Sequence, residues 1–177
     1  MTDSMDEIKL ELERLRLGLD LVKERNNFAV PFVLTAASGV SAVLNKACQV
    51  LSIVDQKTLD GCSSITEWRE CLPAWFLLPF SVERSKQEND AWLRMWRELP
   101  PAAKAKAETE KGWSLEGWLY WLEPENRQWY LWSSDSDLDN DERIVLLVQA
   151  IDFPFASKSL VWLFKCSGAS NFDIHLD

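Results

Sequence analysis

The first stretch of the chain spaces its apolar residues at alternating steps of four and three: Ile8, Leu12, Leu15, Leu19 and Val22. That spacing gathers them into one stripe on an α-helix of about six turns, with charged residues on the other faces. Ser4 and Glu7, three apart at its start, fit a capping box. Asn26-Asn27 then offers a turn. Pro31 suits the first turn of a second helix, along which Val33, Ala37, Val40, Leu44, Ala47, Leu51 and Val54 repeat the stripe. Two consecutive helices with matching stripes predict an antiparallel helical hairpin.

Asp60-Gly61 breaks the pattern. Ser64 and Glu67 open a short helix to Cys71 that Pro73 ends, and the apolar run 74–80, interrupted by Pro79, is expected as a buried connector. Ser85 and Glu88 form a further capping box, starting a helix with Trp92, Met95, Trp96 and Leu99 that Pro100-Pro101 stops. Residues 102–111 are rich in Ala, Lys and Glu with no stripe beyond alanine, which predicts an exposed helical turn or linker.

From Trp113 the pattern is that of strands. The aromatic runs 118–122 and 129–132, joined by Glu123-Pro124-Glu125-Asn126-Arg127, predict a β-hairpin with a five-residue loop. An acidic loop leads to an aliphatic strand from Ile144 to Ile151, which Pro154 breaks. Ser157 then caps a helix with Leu160, Val161, Leu163 and Phe164, Gly168 stops it, and Phe172, Ile174 and Leu176 alternate as a last strand. The expected fold is therefore α+β, in a single domain over 1–177. A helical part (1–112) packs on a small, mostly antiparallel sheet of three to four strands (113–177) with one covering helix. A last strand reached through that helix is expected beside the third strand, by a right-handed crossover.

Charge narrows the partners. The net charge is −9, and it is uneven: residues 1–112 hold 15 Lys/Arg and 17 Asp/Glu, whereas 113–177 hold 4 and 11. The second segment repels a phosphate backbone, so nucleic acid is not an expected partner. Residues 28–45 carry no charge, which raises a membrane helix, but Ser38, Gly39, Ser41, Asn45 and Lys46 interrupt the stretch and no strongly basic flank accompanies it. No membrane contact is expected, and association through 28–54 stands as a third alternative. Cys48, Cys62, Cys71 and Cys166 contain no CxxC pair and follow no signal peptide, which predicts free thiols and a cytoplasmic location.

Candidate chemistry is sparse. The one histidine, His175, falls on the polar side of the last strand, and no GxGxxG, P-loop, HExxH or GxSxG is present. No catalytic residue and no cofactor are expected. One histidine and four scattered cysteines do not make a closed zinc site. Asp135, Asp137 and Asp139 have the spacing that opens a calcium loop, but Leu146 stands where the bidentate glutamate belongs, so no metal is expected there either. Those residues with Asp141 and Glu142 can instead present negative charge to a basic protein.

Ten tryptophans are the most informative feature. In the expected hairpin Trp118 and Tyr120 share one face and Leu119 and Trp121 the other; Trp129 and Leu131 likewise oppose Tyr130 and Trp132. Neither strand alternates apolar with polar, so both faces need cover. Helices from both halves of the chain supply it in one alternative; in the other a face stays open for a partner or for a second copy. Trp92 and Trp96, beside Arg94 and Arg97, admit the same two alternatives. The expectation is a non-catalytic protein-interaction domain, of the small inhibitor, immunity or adaptor kind. Its partner surface would be built from Asp135, Asp137, Asp139, Asp141, Glu142, Trp118, Tyr120, Trp129 and Trp132. A homodimer through the helical hairpin or the aromatic patch fits the same residues. The alternative function is a small enzyme with paired carboxylates in a tryptophan-lined pocket, acting on a sugar or another small molecule.

Overall fold

A computed structural model describes residues 3–22, 29–135 and 142–174. Helix α1 (Ser4–Leu17) is capped by Asp3, whose carboxylate accepts the Met5 N–H at 3.2 Å, one residue before the expected cap. Gly18, at φ 105°, ends it short of six turns by taking a backbone conformation that other residues resist. The chain returns as strand β1 (Ala29–Thr35), where a second helix was expected to begin. Around Pro31 the residues are aromatic and β-branched, and this local preference prevails over a heptad match that Val33 entered by coincidence. Pro31 lies opposite Leu147, one residue outside the described pairing of Phe32–Thr35 with the last strand. Helix α2 (Val40–Leu59) carries the expected stripe from Val40 on, burying Val43, Ala47, Val50, Leu51 and Val54, and packs against α1.

Five helices and one strand follow before the hairpin closes. They are α3 (Ile65–Cys71), α4 (Ala74–Leu77), α5 (Lys86–Glu98), α6 (Pro101–Lys111) and α7 (Leu115–Tyr120), then β2 (Trp129–Asp135). The 74–80 connector is mixed: Phe76 is buried but Leu78 is 83% exposed. Residues 101–111 form a full helix, not a linker. The expected strand at 118–122 is α7 instead. Ser114 caps it by accepting the Gly117 N–H at 3.1 Å, and the buried set Leu115, Trp118, Leu119 and Leu122 has helical spacing. The hairpin is formed by β2 and β3 (Arg143–Ala150), and α8 (Lys158–Ser167) leads to β4 (Asn171–Ile174).

The fold is α+β, with an antiparallel sheet in the order β2-β3-β1-β4. β4 pairs with β1, not beside β3 as expected. Because β3 and β4 both run antiparallel to β1, they are parallel to each other with β1 between them. Phe32, Leu34, Ile144, Leu146 and Val148 bury one face of the sheet, while their neighbours Val33, Val145 and Leu147 are half-buried. Phe172 stacks between Phe32 and Phe164, at 4.9 and 4.1 Å between ring centroids, and so joins β4, β1 and α8.

The lost alternation of β2 has two causes. A β-bulge between Leu131 and Ser133 makes Trp132 the extra residue. The other cause is a cluster of buried charges on the outer edge of the strand. Arg127, 2% exposed, donates to the Asp55 carboxylate at 2.7 Å and to the Glu11 carboxylate, and its Nε donates to the Trp129 carbonyl at 3.0 Å. Glu11 in turn accepts the Leu131 N–H, and Arg14 Nε donates to the Leu131 carbonyl at 3.2 Å. Side chains of α1 therefore satisfy the backbone groups that an edge strand would leave open. Trp129 and Tyr130 close over the Arg127 guanidinium from 5.0 and 4.6 Å.

Two carboxylates compete here for one fully buried guanidinium. Burial pushes the Glu11 carboxyl up to about 8, against the pull of Arg127, and raises Asp55 for the same reason. Removing the shared cation, as in Arg127→Met, leaves both acids uncompensated and should cost about 3–5 kcal/mol in a denaturant titration. The Glu11 carboxyl holds its proton in the folded protein at pH values where the unfolded chain has released it, so its contribution is complete below pH 4.5 and is lost as pH rises through about 8. The melting temperature should accordingly fall between about pH 5 and 8.5, and a flat or rising profile would contradict this account of the cluster.

Candidate functional site

The residues expected to form one partner surface are dispersed. Trp118 and Trp129 are fully buried and offer nothing to a partner. Their indole N–H groups converge on one residue of α8: Trp118 Nε1 donates to the Ser159 carbonyl and Trp129 Nε1 to the Ser159 hydroxyl, each at 3.0 Å. Burying each ring contributes on the order of 5 kcal/mol, which is why the aromatic runs go to the core. Trp132 is half-buried at the bulge with the Arg14 guanidinium 4.4 Å above its ring. Asp135 and Glu142 are exposed at the facing ends of β2 and β3, while Asp137, Asp139, Asp141 and His175 lie outside the described residues. Tyr120, 50% exposed, lines a cavity.

That cavity, of about 900 Å³, opens between α5 and α7. α5 starts from the expected capping box: the Glu88 N–H donates to Ser85 Oγ at 3.3 Å and the Ser85 N–H to Glu88 Oε2 at 2.7 Å. Neither α5 nor α6 buries a residue. The two-proline turn between them folds α6 back so that Lys104 lies 4.4 Å from the Trp96 ring and Lys111 4.1 Å from Trp92. Trp92 and Trp96, one turn apart, stack at 6.2 Å and 24°. This pair forms one wall of the cleft, and Trp113, Tyr120 and Trp121 form the other.

The second wall is tied down where the chain re-enters the core. The Ser81 N–H donates to the Trp113 carbonyl at 2.7 Å and the Glu116 N–H to Glu83 Oε1 at 3.0 Å. Beneath it Phe76 and Phe80 meet Trp118 edge-on at 5.0 and 6.0 Å. α8 contributes Lys158, which pairs with Glu108 at 2.8 Å. Glu108 is the one carboxylate among the described lining residues. Arg84 and Lys111 line the same cleft, and among the described residues neither forms an ion pair. Burial, and then the charge of Arg84, holds the Lys111 ammonium below its ordinary value.

The arrangement can bind an apolar ring system; the described lining does not contain two carboxylates, and no histidine is among it. The paired acids Glu11 and Asp55 are buried against Arg127 and do not line this cleft. Among the described residues no group of three or more His, Cys, Asp or Glu side chains could hold a metal ion, and no helix is long and apolar enough to cross a membrane.

Compared with known proteins, the chain matches no family model, no curated protein and no solved structure. The site therefore rests on its own geometry. Sequence reasoning singled out Trp92, Trp96 and Tyr120 but missed Arg84, Lys111, Trp113 and Trp121. One signal was available: Lys104 and Lys111 stand two helical turns apart, beyond a proline turn from two tryptophans one turn apart. Ser159→Ala leaves the buried Trp129 N–H without an acceptor while sparing the bond to Trp118, and should lower the unfolding free energy by about 1–3 kcal/mol in urea.

Proposed function

We propose that this protein is a non-catalytic binding domain whose working surface is the tryptophan-walled cleft between α5 and α7. One observation carries the reading. A pair of helices that buries no residue of its own holds two stacked indoles against a cavity, and the opposite wall is aromatic too. Cavities that take small ligands have volumes of roughly 300–1,000 Å³ and mainly apolar linings with a few placed polar groups. The cleft has that size and that lining.

A second reading is favoured by the concentration of negative charge in residues 113–177, with Asp135 and Glu142 exposed at the ends of their strands. It is an acidic surface that meets a basic partner protein, as an inhibitor or adaptor would.

The cleft reading is tested with N-phenyl-1-naphthylamine, a neutral two-ring probe whose emission rises in apolar surroundings. The expected result is saturable binding at one site per chain, with energy transfer from tryptophan to the bound probe. Trp92→Ala and Trp121→Ala should each weaken binding about tenfold or more while leaving the near-ultraviolet circular dichroism of the folded core in place. Binding that is indifferent to both substitutions would remove the cleft from consideration.

A further inference from the structure

The cleft differs in charge from the molecule around it. The chain carries −9 in all, yet three cations, Arg84, Lys111 and Lys158, line the cleft with a single described carboxylate, Glu108. Lys158 already takes that carboxylate at 2.8 Å. Arg84 and Lys111, each half-buried, are left as two positive groups on a cavity whose described lining holds no further carboxylate; Glu88, which feels the Arg84 charge, is exposed at the start of α5 and bonded to Ser85. Bringing like charges together in a partly desolvated site is unfavourable unless an anion offsets them. Lys111 also lies against the Trp92 face at 4.1 Å, so the positive group and the apolar wall are contiguous.

Resting on the cleft as the working surface, we propose that its ligand is a small organic anion: a ring-bearing, apolar body between Trp92 and Trp121 with one anionic group held by Arg84 and Lys111. A single carboxylate, sulfonate or phosphate satisfies both cations. A polyanion does not fit the same surface, because beyond the cleft it meets the excess of acid that the rest of the chain presents. The volume of about 900 Å³ accommodates such a molecule whole.

A matched pair of probes tests this on the full chain. 8-Anilino-1-naphthalenesulfonate and N-phenyl-1-naphthylamine share one ring system and differ by the sulfonate. The sulfonate should bind about tenfold or more tightly than the neutral probe, and added salt should narrow that gap. Arg84→Gln combined with Lys111→Gln should remove the preference, so that the two probes bind the variant within about twofold of each other. Equal affinities of the two probes, or a sulfonate affinity that ignores the double substitution, would overturn the inference and leave the cleft reading standing. Binding of neither probe would overturn both. Near-ultraviolet circular dichroism of the variant confirms that any loss is not one of fold.

Discussion

The fold depends on how one edge of its sheet is closed. β2 is the outermost strand, and an outermost strand carries backbone donors and acceptors with nothing to pair them. Here Arg127 leaves the turn ahead of β2, folds back on the Trp129 carbonyl, and reaches Glu11 of α1 and Asp55 of α2 at once. Glu11 and Arg14 take the N–H and the carbonyl of Leu131 between them. Two helices and a strand from distant parts of the chain are registered by a single guanidinium. A buried ionic cluster of this kind contributes little net stability compared with a packed apolar one, because desolvation offsets most of its attraction. What it supplies is placement: the bonds of Arg127 to Glu11, Asp55 and the Trp129 carbonyl, and those of Glu11 and Arg14 to Leu131, form together only when α1, α2 and β2 stand in this arrangement.

From that edge the order passes inward to the cleft. β2 sends Trp129 to Ser159, and α7 sends Trp118 to the same residue, so that α8 holds both. α7 then presents Tyr120 and Trp121 outward as one wall. The opposite wall has no such anchorage. α5 and α6 are joined to each other by lysines lying on indoles, and to α8 by the ion pair of Glu108 with Lys158. Contacts of that kind are individually weak. The cleft thus has one wall built into the core and one wall attached to it.

Much of the fold was legible in the sequence, and the misreadings share a cause. The stripes of α1 and α2, the capping box of α5 and the Ser157-to-Gly168 span of α8 follow from local rules, and the α+β class follows from them. The two segments that depart from expectation, 29–35 and 115–120, carry conflicting local signals. In the first, aromatic and β-branched residues prevail over a heptad match; in the second, a serine cap and a helical burial period prevail over aromatic β-propensity. The partner surface was legible only in part because burial is not a local property. Trp118 and Tyr120 are equally aromatic in the sequence; the indole N–H found Ser159, and the phenol faces solvent. The cationic side of the cleft was hidden by its opposite: a chain at −9 gives no hint that Arg84 and Lys111 share one cavity.

The closed edge also bears on how copies of this chain can and cannot join. Strand addition, the route to continuous intermolecular sheets and to fibrils, needs a row of open backbone groups. On β2 the groups at Trp129 and Leu131 are already occupied by charged side chains that would have to be stripped from one another before a new strand could bind. The bulge at Trp132 twists the remainder of that strand out of a flat template. An arriving strand therefore meets protection on this side, and any growth of the sheet is directed to β4, the short strand at its other end.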